Sequence, residues 1–581
     1  MPDVNQILNE RFASAFEKAL GSEHANADPI LRPSGNPKFG DYQSNCAMGL
    51  AKKVGQKPRD LAQQVVDAIE LDDVCSKLEI AGPGFINLHL RESFLNDQMN
   101  ALAADDRLGV DAADPQTVVI DYSSPNVAKE MHVGHLRSTI IGDAIARVLS
   151  FLGHNVIRQN HLGDWGTQFG MLIEYLNDSG WDQSVDHSIS DLDQLYRDAR
   201  ARFNSEDEFA ERSRKRVVAL QGGDVETIRL WQMLIEESQR HFGEVYLKLG
   251  VLLVDEDVCG ESFYNDMLPA VVDDLDAAGQ LKTSDGAAVV YPEGFFDQDK
   301  NPLGMIVRKS DGGYLYATTD LAAARHRINN LGAGRVVYVT DARQGQHHFP
   351  QLFQALRQVG WAPDAVALDH VPFGMVCGKD GKPFATREGK TVKLTELIDE
   401  AVERAGTIIE QKNPELPESD RADIANAIGV GAMKYADLSS DRIKNYVFDW
   451  ERMLSFDGNT APYLQNAYVR TRGIFRRGEF DPNEVRSKPI MIDEPAEKML
   501  ALKLMQYADA VRLVGETLEP HKLCNYLYEL ASLFHSFFEN CPVLKAGSDE
   551  LRDSRLALCE LVGRTLRHGL GLLGIKAVGR M

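Results

Sequence analysis

The sequence lacks the features that mark membrane proteins, secreted proteins and disulfide-rich domains. Among its 581 residues, no apolar run approaches the roughly 20 residues that a bilayer-spanning helix needs. Residues 1–5 contain no basic start leading into an apolar stretch, so no secretion signal is indicated. The seven cysteines are scattered and never spaced as Cys-x-x-Cys. These absences predict reduced, structural thiols in a cytoplasmic protein with no membrane partner.

The sequence also lacks an excess of basic residues. A formal net charge of −23 argues against a nucleic-acid partner, because phosphate binding is electrostatic. Net charge averages over a large surface, however, and a local basic track can still bind nucleic acid. The candidate track combines four arginines with interleaved aromatic residues: Arg470, Arg472, Arg476, Arg477, Tyr463, Tyr468 and Phe475. A solvent-exposed helix face explains the four arginines equally well.

The stretch from 117 to 153 is typical of a strand, a loop and a helix. Residues 117–122 form a β-branched apolar run between two turn signals, which suits a buried parallel strand. Apolar residues then recur at helical spacing from Leu136 to Leu152, and Gly153 follows as a cap. A tight turn entering a strand is predicted at 80–88, and helices are predicted over 439–448 and 499–514. Further strands are predicted near 156–157, 335–339 and 367–371, alternating with helices, one of them over 349–359. This order predicts a parallel sheet with ligands beyond the carboxyl ends of its strands.

Two histidines mark the entry to the first helix of this sheet. His132 and His135 are three residues apart, so both rings can face one way. Gly134 between them allows a nucleotide to approach the backbone, and a helix N-terminus favours an anion. Two alternatives stay open: a metal site, although no Cys or carboxylate cluster completes a ligand set, and a simple helix cap.

The segment from Pro125 to His135, PNVAKEMHVGH, resembles the His-Ile-Gly-His signature of class I aminoacyl-tRNA synthetases. In detail it resembles the arginyl-tRNA synthetase family, and the resemblance extends over nearly the whole chain. It implies a small N-terminal tRNA-contacting α/β domain over 1–112 and a Rossmann-like catalytic domain over 113–375, with a helical insertion at about 177–250. It also implies a signature loop with connecting helices over 376–455 and an all-α anticodon-binding bundle over 456–581.

The same resemblance implies a substrate set and a reaction. The substrates are L-arginine, tRNA(Arg) and ATP, the last as its Mg²⁺ complex, with no tightly bound metal or organic cofactor. Arginine is activated to arginyl-adenylate with release of pyrophosphate, and the arginyl group then passes to the tRNA 3′ end. The protein is expected to be a monomer. That tRNA must be present before adenylate forms is a further hypothesis.

The resemblance also assigns candidate residues to the small substrates. The residues implied for ATP are Pro125, His132, Gly134, His135 and His347. Those implied for arginine are Ser124, Asn126, His132, Glu261, Tyr316, Asp320 and Gln344. A guanidinium has five fixed donors, so a selective pocket needs carboxylates in its plane and a ring or hydroxyl nearby. From the residues alone, Thr319 or Asp320 would instead cap the alanine-rich helix that follows.

Basic residues are implied to stabilise charge during the reaction. Lys129, His132 and His135 come from the first signature. The second class I signature, Lys-Met-Ser-Lys-Ser, is degenerate here: residues 384–387 read Phe-Ala-Thr-Arg and its second lysine is missing. Four residues of this glycine-punctuated loop could supply the cation, and the choice stays open: Lys379, Lys382, Arg387 and Lys390. An exposed, mobile basic turn is the plainer interpretation.

Five residues are implied to contact tRNA. Asn36 and Phe39 lie in the turn-rich segment of the N-terminal unit, where base contact or stacking is expected. Tyr463, Asn466 and Arg470 lie in the C-terminal helical region, and Asn466 departs from the tyrosine expected there. Two rival functions remain at this stage. One is nucleotidylyl transfer to a small metabolite, and the other is an inactive RNA-binding relative.

Overall fold

The computed structural model describes residues 4–179, 189–385 and 392–581 of the chain. Its first unit is a four-stranded antiparallel sheet of order β1-β2-β4-β3 with four helices. The elements are α1 (Val4–Leu20), β1 (Leu31–Pro33), β2 (Tyr42–Ser44), α2 (Cys46–Val54), α3 (Pro58–Ala68), β3 (Cys75–Ala81), β4 (Phe85–Leu90) and α4 (Glu92–Ala104). The small α/β unit and the tight turn into β4 are confirmed.

The second unit contains a four-stranded parallel sheet of order β11-β10-β5-β6. Its strands and the helices that follow them are β5 (Thr117–Asp121), α5 (Val133–Phe151), β6 (Asn155–Gln159), α6 (Gln168–Ser179), β10 (Arg335–Asp341), α12 (Ala342–Gln358) and β11 (Ala367–Phe373). After β5 the chain adds β6 on one side and later β10 on the other. The direction of strand addition therefore reverses between β5 and β10, and this is where open α/β sheets bind ligands.

Further elements lie between β6 and β10. The charged segment forms the predicted helices α7 (Ile189–Ser205), α8 (Asp207–Gln221) and α9 (Val225–Leu249). They are followed by α10 (Leu268–Ala277), an antiparallel sheet of β7 (Leu281–Ser284), β8 (Ala287–Val290) and β9 (Met305–Arg308), and α11 (Tyr316–Asn329).

Two helix starts differ from the sequence prediction. Helix α11 begins at Tyr316, so Thr319 and Asp320 lie inside it, and the predicted cap is wrong. Helix α12 begins at Ala342 rather than Phe349, because Asp341 caps it by accepting a hydrogen bond from the Arg343 amide at 2.8 Å. The extra turns carry polar side chains without apolar periodicity.

The remaining elements are mainly helical. They are β12 (Val376–Cys377), α13 (Leu394–Lys412), α14 (Glu418–Leu438), β13 (Tyr446–Val447), α15 (Trp450–Met453), α16 (Ala461–Gly478), α17 (Pro482–Val485), α18 (Pro495–Leu504), α19 (Tyr507–Thr517), α20 (His521–Asn540) and α21 (Asp549–Leu572). No helix in the described ranges is both long and apolar enough to cross a bilayer.

Two predicted C-terminal helices need correction. Residues 439–448 are not helical: β13 pairs there with β12, and Asn445 Oδ1 accepts the Met375 amide at 2.7 Å. Asn and Asp side chains offer the backbone such alternatives to helical hydrogen bonds. The predicted helix from Met499 to Val514 is two helices, α18 and α19, separated at residues 505–506.

A buried ion pair joins the signature helix α5 to α14. Arg137 Nε lies 3.0 Å from both carboxylate oxygens of Asp437, and both side chains are almost fully buried. Replacing Arg137 by Leu should cost about 3–5 kcal/mol of unfolding free energy, because the Asp437 charge loses its partner inside the protein. Denaturant unfolding measures the loss. Arg404→Met, which removes an exposed pair with Glu400, is the control and should change stability little. Equal effects of the two substitutions would contradict the prediction.

Candidate active site

The loop after β5 contains residues in a left-handed backbone conformation that only glycine adopts readily. Ser123, Ser124 and Ala128 have φ values of 72°, 47° and 60°. Each such position costs on the order of 1–3 kcal/mol unless its surroundings hold it. The loop therefore requires support from the rest of the fold.

Helix α9 of the insertion supplies that support. The Tyr246 hydroxyl lies 2.8 Å from Ser123 Oγ, and Ser238 Oγ accepts the Ala128 amide at 3.0 Å. Asn160, just after β6, donates to the Tyr246 hydroxyl and accepts the Ser124 amide. These contacts give the insertion a direct part in shaping the signature loop.

The two signature histidines both cap α5 and keep a donor available. His132 Nδ1 accepts the Gly134 amide at 3.0 Å, and His135 Nδ1 accepts the His132 amide at 3.1 Å. The pKa of His135 falls to about 3 and that of His132 falls below its usual range, both mainly because the rings are buried. Each ring is therefore neutral at pH 7, and its single proton is on Nε2. The two rings therefore cap the helix, as considered from the sequence, and also offer two N–H donors to phosphate or ribose oxygens.

The chain that follows the second signature loop contacts the first signature. His132 forms an antiparallel bridge with Lys393, and the Leu394 amide donates to the Met131 carbonyl at 2.9 Å. Lys393 Nζ lies 2.9 Å from Glu130 Oε1. Lys129 lies over the Tyr196 ring, 4.6 Å from its centroid, so the insertion also contacts this lysine. No pattern in the sequence singled out Lys393 or Tyr196.

The described part of the second signature is more regular than predicted. Residues 376–384 form a hairpin, since Cys377 bridges Pro383 and the Phe384 amide donates to the Val376 carbonyl. Lys379 is exposed and pairs with Asp449 at 3.0 Å, while Lys382 lies exposed beside the hairpin turn. Arg387 and Lys390 lie outside the described residues.

Glu261 is a largely buried carboxylate near two others. The pKa of Glu261 rises to about 7 because the carboxyl is buried, with smaller contributions from the neighbouring carboxylates Asp164 and Asp320. Asp164 holds this segment in place by accepting the Ser262 amide at 2.8 Å and the Ser262 hydroxyl at 2.6 Å. Three buried or half-buried carboxylates, Glu261, Asp164 and Asp320, therefore lie near one another, and this concentration of negative charge suits a cation.

Asp320 and Tyr316 lie one helical turn apart on α11, so they share a face. His348 Nε2 on α12 lies 2.6 Å from Asp320 Oδ2, and the imidazole packs edge-on against the Tyr316 ring at 5.0 Å. The Tyr316 side chain is 62% exposed, so its ring is free to cover a ligand. The sequence pattern does not distinguish His348 from its neighbour His347, and only His347 was assigned a role.

A buried arginine connects α11 to the signature loop. Arg327 donates to Asp121 Oδ2 at 2.7 Å and to Gln159 Oε1 at 2.6 Å, at the ends of β5 and β6. The other oxygen of Asp121 accepts the Ser124 hydroxyl at 2.9 Å. Ser124 and the helix that carries Asp320 are therefore fixed to one another through two side chains.

The other candidates for the small-molecule site lie around the same edge of the sheet. Pro125 is buried and its carbonyl accepts the Gly163 amide at 3.1 Å; Asn126 is exposed and bridges Gly163. His347 is exposed. Gln344 lies in the first turn of α12, but its side chain is outside the described part of the structure.

The tRNA candidates lie in the first and last units. Asn36 Oδ1 accepts the Lys38 amide at 3.0 Å, which shapes the turn that presents Phe39, 49% exposed. Tyr463, Asn466 and Arg470 follow one face of α16, and all three are half-buried. The Tyr463 hydroxyl lies 2.9 Å from His535 Nδ1.

Across the described ranges there is no group of three or more His, Cys, Asp or Glu side chains suited to hold a metal ion. All seven cysteines are unpaired, as the sequence predicted. The two signature histidines therefore lack the additional ligands that a zinc site needs.

Comparison with known proteins gives three family matches in chain order. The arginyl tRNA synthetase N terminal domain matches residues 6–90, the tRNA synthetases class I (R) catalytic domain matches 98–450, and the DALR anticodon binding domain matches 464–581. The α/β catalytic core with N-terminal and helical C-terminal units is confirmed.

Individual relatives agree over the full length. The chain is 51% identical over 582 residues to an arginine–tRNA ligase of Thermobifida fusca and 48% identical over 579 residues to one of Haemophilus influenzae, covering 100% of both chains in each case. It superposes on the crystal structure of arginyl-tRNA synthetase from Plasmodium falciparum with a TM-score of 0.85, 29% identity and full coverage of both chains. The chain therefore belongs to the arginyl-tRNA synthetase family of class I aminoacyl-tRNA synthetases.

Proposed function

We propose that this protein activates L-arginine with ATP and transfers the arginyl group to the 3′ end of tRNA(Arg). The observation that carries the proposal is the Asp320 carboxylate on α11, one helical turn from the exposed Tyr316 ring, with the buried Glu261 carboxylate near enough to interact with its charge. A planar cation with several donors satisfies both carboxylates and packs on the ring. A lysine ammonium satisfies fewer of them.

The chemistry needs no protein nucleophile. The arginine carboxylate attacks the α-phosphorus of ATP, and the Nε2 donors of His132 and His135 bind phosphate and ribose oxygens. Lys129, with a cation of the second signature, stabilises the charge that develops on the phosphoryl centre and the leaving pyrophosphate. Magnesium enters with ATP as part of the substrate and neutralises phosphate charge. Ser124, Asn126 and Gln344 are assigned to the α-amino end of arginine.

The tRNA is assigned to a surface that includes both terminal units. Phe39 provides an exposed ring for stacking on an unpaired base, and Asn36 shapes the turn that presents it. Tyr463, Asn466 and Arg470 provide a second contact on α16, where further arginines supply positive charge within an acidic protein. A monomeric state and a cytoplasmic location remain predictions.

The amino-acid assignment has a direct test. The purified protein, total tRNA and ATP are incubated with each of the twenty amino acids, and aminoacyl-tRNA is measured. Arginine alone should be attached; attachment of another amino acid instead, or of none, would overturn the proposal. Omitting tRNA from a pyrophosphate-exchange assay with arginine tests the further hypothesis that adenylate formation requires tRNA.

Arginine binding should depend on pH through Glu261. Its pKa of about 7 means that the carboxyl is largely protonated at pH 6 and largely ionised at pH 8. Because the arginine cation favours the ionised form, affinity should rise by up to about tenfold per pH unit below 7 and level off near pH 8. Calorimetric titration with arginine at pH 6, 7 and 8 measures the change.

Glu261→Gln provides the control, since it removes the titrating group and keeps its size. The variant should bind arginine weakly and with little dependence on pH. His135 does not titrate between pH 6 and 8, because its pKa is about 3. An unchanged pH profile in the variant would assign the titration to another group.

A further inference from the structure

His348 is the only residue in the described part of the structure that forms a hydrogen bond with the Asp320 side chain. The two side chains are 14% and 20% exposed, so the contact is largely shielded from solvent. At 2.6 Å between Nε2 and Oδ2, it is a short hydrogen bond. The contact thus engages a residue that the proposed function assigns to arginine.

The imidazole is held in place by aromatic rings on both sides. Tyr316 packs edge-on against it at 5.0 Å, and Phe349 does so at 5.1 Å. Phe349 in turn stacks on His370 at 4.7 Å, and His370 Nε2 lies 2.9 Å from Thr340 Oγ1 near the end of β10. These contacts give the His348 ring a defined orientation. Its hydrogen bond in turn orients the Asp320 carboxylate.

The geometry limits what Asp320 can offer a ligand. Its Oδ2 atom already bonds His348, so Oδ1 is the oxygen that keeps both lone pairs for a ligand. A guanidinium has further donors that need acceptors, and Glu261 is a second carboxylate near enough to interact with the Asp320 charge. A planar guanidinium can bridge two separate carboxylates, whereas a compact ammonium meets them less well.

We propose that His348 is a positioning and specificity residue: by binding Oδ2 of Asp320 it presents Oδ1 to the substrate, so that a guanidinium bridges Asp320 and Glu261. This inference rests on the proposed function, because it assumes that arginine occupies the pocket. A contact that merely joins α11 to α12 would affect stability and both substrates alike. The two roles therefore differ in what a substitution changes.

The experiment compares His348→Ala and His348→Gln in aminoacylation with full-length enzyme and tRNA. His348→Ala should raise KM for arginine about ten- to fiftyfold, while kcat and KM for ATP change by less than about threefold. His348→Gln, whose amide can still donate to Asp320, should recover part of the loss. In the alanine variant, the ratio of the lysine inhibition constant to the arginine KM should fall. Gln354→Ala, further along α12 and away from Asp320, is the matched control.

A double-mutant cycle decides whether His348 acts through Asp320. In an Asp320→Asn background, adding His348→Ala should cause little further rise in KM for arginine, because the carboxylate to be positioned is already gone. The inference is wrong if the two increases in the arginine KM multiply in the double variant, or if KM for ATP and KM for arginine rise equally. If Asp320→Asn lowers arginine affinity but neither His348 variant does, only this inference fails. If Asp320→Asn itself has no effect, the proposed arginine pocket fails with it.

Discussion

Replacing Asp320 by Asn should raise KM for arginine by about a hundred- to a thousandfold while KM for ATP stays nearly constant. The substitution keeps the shape of the side chain and removes its charge, so a half-buried guanidinium loses an ionic hydrogen bond. Truncating one partner of such a charge pair costs about 2–5 kcal/mol. Glu261 does not replace the lost charge, because it is already assigned to the same guanidinium. Steady-state aminoacylation with varied arginine and saturating ATP and tRNA measures the effect.

Asp276→Asn is the matched control. Asp276 lies exposed on α10, and the same change of charge there should leave the arginine KM within about twofold of the parent. A large effect at Asp320 with none at Asp276 assigns the loss to the pocket rather than to net charge. An Asp320→Asn enzyme with normal arginine KM would remove the basis of the proposed substrate assignment.

Replacing His135 should reduce turnover far more than arginine binding. Its Nε2 donor is expected to bind phosphate or ribose oxygens as negative charge develops, and losing one such donor costs about 10²- to 10³-fold in kcat. Arginine does not depend on this donor, so KM for arginine should change by less than about threefold. Pyrophosphate exchange with tRNA present measures the step directly.

Two variants separate the chemical role of His135 from its structural one. Its Nδ1 atom accepts the His132 amide, so His135→Ala also removes part of the α5 cap, at a cost of about 1 kcal/mol of stability. His135→Asn can still accept that hydrogen bond but cannot place a ring donor over the phosphates. Both variants should therefore lose activity, and only the alanine variant should lose stability. Near-normal exchange in either would contradict the assigned role.

Much of the fold and the identity of the site follow from local sequence. The β-branched run at 117–122 and the helical periodicity after it predict β5 and α5 to within a few residues, because a buried strand and a packed helix require these patterns. The histidine signature predicts a nucleotide site at the same point. Local patterns failed for residues 439–448, where pairing with β12 competes with helix formation.

What the sequence by itself determined is the order of domains, the family signature and the residue types proposed to recognise a guanidinium and a nucleotide. Only the tertiary structure decided that His348 binds Asp320, that α9 supports the strained signature loop through Tyr246 and Ser238, and that Lys393 returns beside His132. The physical reason is that these contacts join residues tens to hundreds of positions apart. Hydrophobic periodicity and turn chemistry report only the conformation of neighbours along the chain. Such polar contacts form only once the packed helices and the sheet bring their partners together.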